Sequence, residues 1–263
     1  MARTVERGSI LSSDGELIAY TDTDDDGNET RIYPFAEEFA HIAGYTGHGG
    51  MGLESIYNYS LMTTHAGTIE RLKNEFTGGK NPGDNIITTL DSGLQRRAAE
   101  ILGGNEGAVV AMDPSTGRIL AMVSYPAFDP NEIDDIWSEI TEDEESSVLL
   151  NRATQATLTP GSTFKIFTLL EFYRQQKSRI YNYDYECTGS FTEDGNTINC
   201  VGGMWHGYED IYESFAYSCN SSFANIGLQL DLAAFANHNR SMLFNSPLPL
   251  EIPYKQSSFT LNA

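Results

Sequence analysis

A chain of 263 residues with 40% apolar side chains can form one large or two modest domains around a real core. Sixteen Lys and Arg against 37 Asp and Glu leave a net charge of −21, which argues against nucleic acid and against electrostatic docking on anionic lipid. No run reaches the roughly 18 consecutive apolar residues of a transmembrane helix, and MARTVERGSI has no apolar stretch of the signal-peptide kind.

In chain order, RGSILSSDGELIAYTDTDDDGNETRIYP reads as short strands broken at Asp14-Gly15 and Asp26-Gly27. The acidic segment from Asp22 to Gly27 imitates the first half of an EF-hand loop. Tyr33 stands where the bidentate Glu is needed, so a solvated turn is expected instead. Residues 52–76 have helical spacing and end in the Gly/Pro-rich TGGKNPGDN, which we take as a boundary between an N-terminal region (1–85) and a second domain (86–263).

Beyond it, IITTLDSGLQRRAAEIL gives a strand and then a helix, and GAVVAMDPSTGRILAMVSYP is a hairpin turning at Asp113–Gly117. The acidic EIDDIWSEITEDEESS reads as a surface loop with a short helix. TLTPGSTFKIFTLLEFY follows, its apolar residues covering most of the circumference, which predicts a buried helix. YDYECTGSFTEDGNTINCVGGMW is a small strand-turn-strand excursion, and SSFANIGLQL another apolar helix.

The three cysteines, Cys187, Cys200 and Cys219, are too few for a disulfide scaffold. No CxxC occurs, and the five histidines show no paired spacing, so a metal-centred mechanism is disfavoured. Cys187 and Cys200 bracket a segment with Asp194-Gly195 near its midpoint. Hairpin pairing would bring them together, and a bridge and two free thiols are both open.

The chemistry concentrates at Ser162-x-x-Lys165. Positions i and i+3 of a helix share a face, so the hydroxyl and the amine can meet. A serine needs a base to become a nucleophile, and a lysine serves if desolvation and the helix dipole lower its pKa. Taken alone, the pair could equally be an N-cap and a lysine snorkelling to solvent. An ammonium group idle in an apolar helix is costly, however, and this is the only Ser-x-x-Lys in the chain. Downstream, Ser218-Cys219-Asn220 is the only Ser-x-Asn. Its hydroxyl could relay a proton and its amide could bind a substrate amide.

With these motifs in this order, the chain resembles the class B penicillin-binding proteins, the monofunctional D,D-transpeptidases of peptidoglycan. The likeness extends to RGSILSSDGELIA, NIITTLDSGLQRRA, GAVVAMDPSTGRILAMVSYPAFDPN, NRATQATLTPGSTFK and SCNSSFANIG. It implies an α/β penicillin-binding or serine β-lactamase-like transpeptidase domain, an antiparallel sheet flanked by helices, behind a small N-terminal domain. It also implies that Ser162 is the acylated nucleophile, Lys165 its general base, Ser218 the proton relay and Asn220 the contact to the substrate amide, with no role for Cys219.

The implied substrates are stem peptides ending in D-Ala-D-Ala, with β-lactams as inhibitors and no metal or organic cofactor. The implied setting is the extracytoplasmic face of a bacterial membrane, beside a membrane glycosyltransferase of the wall machinery. The family's third motif, Lys-Thr-Gly or Lys-Ser-Gly, is not in the sequence, so a C-terminally truncated chain that acylates slowly is expected. That departure leaves a non-catalytic penicillin-binding scaffold or sensor as an alternative. A serine β-lactamase is the other, although Asp231 and Glu251 are followed four residues later by Phe235 and Lys255 and not by Asn.

Overall fold

The computed structural model describes residues 4–261. They divide into two units: the chain to Ala156 with Leu250–Lys255, and Thr157–Pro249 with the chain from Gln256.

The first unit contains, in order, strands β1 (Val5–Glu6), β2 (Ile10–Leu11), β3 (Leu17–Thr23) and β4 (Glu29–Ile32), then helices α1 (Ala40–Ala43), α2 (Gly52–Ile56), α3 (Asn58–Leu61) and α4 (Thr68–Thr77). Strands β5 (Asn81–Pro82) and β6 (Ile86–Ile87), helix α5 (Ser92–Leu102), strands β7 (Gly107–Met112) and β8 (Ile119–Tyr125), and helix α6 (Ile133–Glu142) follow. A four-stranded sheet has the order β4-β3-β2-β6, with β2 parallel to β6 and the other pairs antiparallel. Ile10, Ile18, Phe39 and Leu61 pack in its core. The acidic segment between β3 and β4 is an exposed turn in which the Asp24 carboxylate accepts the N–H groups of Asp26 and Asn28 at 3.0 and 2.8 Å.

Asp91 caps α5 by accepting the Leu94 N–H at 2.7 Å. The helix packs on the β7–β8 hairpin through Ala98, Ala121 and Val123. The Gln95 amide, fully buried, is completely used. Its Nε2 donates to the carbonyls of Glu38 and Met122, both at 2.8 Å, and its Oε1 accepts the Met122 N–H at 2.7 Å. Elsewhere in this unit Glu54, its side chain wholly out of water, pairs with Arg7 at 2.6 Å and with Arg31 at 2.7 Å.

Two expectations need correction in this unit. Residues 52–76 are not one helix but α2, α3 and all but the last residue of α4, interrupted where Gly67 is extended and the Asp84 carboxylate takes the N–H and ring of His65. The acidic stretch after β8 is mostly helix α6. Ile133, Ile136, Trp137 and Ile140 fall at helical spacing and pack with Phe128 and Tyr45, so an apolar stripe outweighs the acidic composition.

The second unit contains helix α7 (Lys165–Gln176), entered through a 3-10 turn at Gly161–Phe164, then strands β9 (Asp184–Cys187), β10 (Ser190–Glu193), β11 (Asn196–Asn199) and β12 (Gly207–Asp210). Helices α8 (Ile211–Ala216), α9 (Asn220–Leu228) and α10 (Leu232–Ser241) complete it. Strands β10 and β11 form a hairpin through Asp194-Gly195, both at positive φ, and β9 pairs antiparallel with β12. Phe172, Phe223, Ile226 and Phe235 centre the core, with the Phe164 and Phe259 rings 5.2 Å apart beside it. Helix α7 is less buried than its sequence predicts. Phe172 faces the core, while Ile166, Leu170 and Tyr173 are 41–51% exposed, because only one side of the helix is covered among the described residues.

Candidate active site

The second unit brings Ser162, Lys165, Ser218 and Asn220 together. Gly161, at φ +56°, turns the chain after Pro160 in a backbone conformation that suits glycine, and Thr163 Oγ1 donates to the Pro160 carbonyl at 2.5 Å. This sets Ser162 on the exposed 3-10 turn, one turn ahead of Lys165, the first residue of α7.

Ser218 is placed by a helix ending. Its N–H donates to the Phe215 carbonyl at 3.1 Å, and the Cys219 N–H donates to the Ser214 carbonyl at 3.0 Å. These are the two bonds of a Schellman motif closing α8, with Ser218 in the left-handed position at φ +54°. Glycine is the usual occupant there, so a serine stores strain of the kind found at functional sites. Cys219 then caps α9, its sulfur accepting the Ser222 N–H at 3.4 Å, and Asn220 is the first residue of that helix. A hydrogen bond of 2.7 Å from Ser222 Oγ to Ser214 Oγ ties α8 to α9.

Lys165 Nζ is the hub. It lies 2.5 Å from the Ser218 carbonyl, 2.6 Å from Asn220 Oδ1, 3.0 Å from Ser218 Oγ and 3.5 Å from Ser162 Oγ. The Phe223 ring lies 5.4 Å away on another side. Asn220 is fixed in turn, its Nδ2 donating to the Asn199 carbonyl at 2.9 Å. Burial pushes the Lys165 amine below the ordinary 10.5, with the nearby Cys219, Cys200 and Glu209 pulling the other way. A neutral lysine has two N–H donors and one lone pair. The two shortest contacts can take both donors, which leaves the lone pair for the Ser162 hydroxyl.

Sequence reasoning did not find the Asn199 carbonyl, the Phe223 ring or the left-handed turn at Ser218. Phe223 could have been picked out as i+3 from Asn220 on an apolar helix. The other two are backbone features that no residue type announces. Cys187 and Cys200, brought within 3.8 Å, are free thiols here and not a bridge.

Residues 107–263 match the penicillin binding protein transpeptidase domain, and residues 7–86 the penicillin binding protein A dimerisation domain. Among curated proteins the chain is similar to peptidoglycan D,D-transpeptidase PbpA of Mycolicibacterium smegmatis, 32% identical over 243 residues that cover 85% of this chain and 49% of that protein. Among solved structures it is similar to the imipenem acyl-enzyme of penicillin-binding protein A from M. tuberculosis, with a TM-score of 0.86 and 28% identity over 97% of this chain and 63% of that one. It is likewise similar to the D,D-transpeptidase domain of a peptidoglycan glycosyltransferase from Eggerthella lenta, with a TM-score of 0.84 and 27% identity over 97% and 58% of the two chains. The chain spans about half the length of the curated relatives it matches. With well over half of its residues inside the transpeptidase match, the chain belongs to the penicillin-binding protein transpeptidase family.

Proposed function

We propose that the protein is a serine-type peptidoglycan D,D-transpeptidase, with residues 1–85 as an N-terminal pedestal and 86–263 as the transpeptidase portion. The observation that carries the reading is the Lys165 amine held among Ser162, Ser218 and Asn220. Ser162 Oγ attacks the carbonyl carbon of the penultimate D-Ala of a stem peptide, and its proton passes to Lys165 Nζ. The tetrahedral intermediate collapses by breaking the C–N bond. The leaving D-Ala amine takes a proton relayed through Ser218 Oγ, while Asn220 orients the substrate amide and the lysine together. An amine from a neighbouring stem then takes the acyl group and frees Ser162. β-Lactams enter the same path and stop at the acyl-enzyme.

The names of the similar proteins support the assignment, as does the capture of one of them, penicillin-binding protein A of M. tuberculosis, as a β-lactam acyl-enzyme. We place the protein at the extracytoplasmic face of a bacterial membrane, working with a membrane glycosyltransferase. Among the described residues no helix is long and apolar enough to cross a membrane.

The test is fluorescent penicillin followed by peptide mapping. A stable adduct on the Ser162 peptide, abolished in Ser162→Ala, is the expected result. Label on another residue, or label that survives Ser162→Ala, would sink the reading. An adduct that hydrolyses within seconds would make the protein a β-lactamase.

A further inference from the structure

Beside the lysine network lies a second cluster that the proposed chemistry does not use. Cys187 ends β9, Cys200 follows β11, His206 precedes β12 and Cys219 caps α9, so four separate element ends converge. Their ligand atoms all lie within 4.8 Å of one another. The Cys187 and Cys200 sulfurs are 3.8 Å apart, those of Cys200 and Cys219 are 3.7 Å apart, and His206 Nδ1 is 3.3 Å from the Cys187 sulfur. Tetrahedral zinc with Zn–S bonds of about 2.3 Å sets its sulfurs about 3.8 Å apart.

The surroundings suit thiolates. The Gly189 and Ser222 N–H groups donate to the sulfurs of Cys187 and Cys219, each at 3.4 Å, and Ser221 Oγ donates to Cys187 at 3.2 Å. Such hydrogen bonds hold metal-bound sulfur in place and spread its charge. The His206 ring stacks on Tyr217 with centroids 5.7 Å apart and planes 13° apart, which sets its orientation.

The ribbon also needs a fastening. Within residues 184–207 only Cys187, Gly189 and Cys200 are buried, and every residue of β11 is exposed. Apolar burial therefore does little to anchor this segment, and small segments of this kind rely on staples. A disulfide between any two of the cysteines would bring those sulfurs to about 2.05 Å and leave the third thiol and the histidine without a function.

We propose that Cys187, Cys200, Cys219 and His206 form a structural zinc site. Four protein ligands close the coordination sphere, so the metal has no open position for substrate and takes no part in acyl transfer. Binding exchanges the three thiol protons, released to solvent, for one zinc ion held by three thiolates and a neutral imidazole. Because Cys219 stands between Ser218 and Asn220, the metal clamps the strained segment that holds Lys165, and it fastens the β9–β12 ribbon to the start of α9.

The test is metal content and cobalt spectroscopy on the reduced 263-residue chain. Mass spectrometry of the metal after gel filtration in zinc should give one equivalent per chain. Cobalt(II) should produce the intense visible bands of a tetrahedral site together with near-ultraviolet thiolate charge transfer. Cys187→Ser and Cys200→Ser should each bind zinc at least tenfold more weakly, the size of effect that even outer-shell changes reach. If those variants fail to fold, the cobalt spectrum of the unaltered chain still decides. A folded, fully reduced chain that takes up neither metal would overturn the proposal, as would a thiol count of one per chain as purified. An unchanged cobalt spectrum in a folded Cys187→Ser/Cys200→Ser double variant would overturn it too. Metal uptake is read without acylation, so zinc binding with no penicillin label would separate this proposal from the activity proposed above.

Discussion

Glu54 and Lys165 are both charged groups drawn out of water, and the two units treat them in opposite ways. Glu54 is locked between two guanidinium groups, and Arg7 also donates to the Glu54 carbonyl at 2.6 Å. Opposite full charges on both sides fix the geometry of the carboxylate, which suits a structural joint. Lys165 is held instead by neutral oxygens, one carbonyl, one amide and two hydroxyls. Neutral acceptors satisfy its N–H groups with no carboxylate in direct contact, and burial, which favours the neutral amine, outweighs the pull of Cys219, Cys200 and Glu209. A buried charge locked to counter-ions builds a scaffold, and one held by neutral oxygens can exchange a proton.

The sharpest way to break this contrast is Lys165→Ala. It should lower β-lactam acylation by ~10²–10⁴ while leaving the thermal midpoint close to that of the parent. Acylation within threefold of the parent, measured by stopped-flow or gel labelling, would remove the lysine from the mechanism. Glu54→Ala should do the reverse. Two guanidinium groups lose their partner, so the first unit should lose about 3–5 kcal/mol in denaturant titration. The acylation rate per folded molecule should stay unchanged, and a loss below about 1 kcal/mol would show that the triad is not a joint.

Ser218→Gly separates strain from chemistry at one position. Glycine accepts the left-handed backbone without penalty, so the chain should gain about 1 kcal/mol while acylation falls for want of the hydroxyl. A simultaneous gain in both would contradict the relay.

The mildest case is Asp14, an exposed carboxylate held, like Lys165, by neutral partners. The hydroxyl and N–H of Ser92 hold it down to about 2, against an ordinary 3.8. The folded value lies below the unfolded one, so this stabilisation is fully present above 3.8 and is lost as pH falls through about 2. Ser92→Ala removes the hydroxyl but keeps the N–H, so it should weaken that dependence, seen as a flatter acid limb of stability against pH between those values.

The local part of the site was legible. Ser162 and Lys165 are one helical turn apart, and Ser218 and Asn220 share a three-residue motif, so short-range spacing announced each pair. The meeting of the two pairs was not written in either of them. It depends on the Schellman ending of α8 and on how α9 packs against α7, and both are tertiary. The β7–β8 hairpin followed from turn chemistry, which is local. The extent of helix α6 was underestimated because acidic composition masked the spacing of Ile133, Ile136, Trp137 and Ile140. The α7 sequence misled in the other direction, since an apolar circumference says what a helix could bury and not what covers it. The thiol and imidazole cluster escaped notice because its four members come from four element ends at spacings unlike any compact metal motif.

The link between α8 and α9 has a further consequence, for length variation. Only Tyr217, Ser218 and Cys219 separate the two helices, and all three backbones are engaged as helix cap, left-handed turn and next cap. One inserted residue on the α9 side would advance that helix by about 100° around its axis. Asn220 would swing off Lys165 while Ser218 stayed where α8 puts it. The joint therefore sets the angular phase of one helix against the other, and homologous chains that keep this site should keep its length residue for residue even where the surrounding loops grow or shrink.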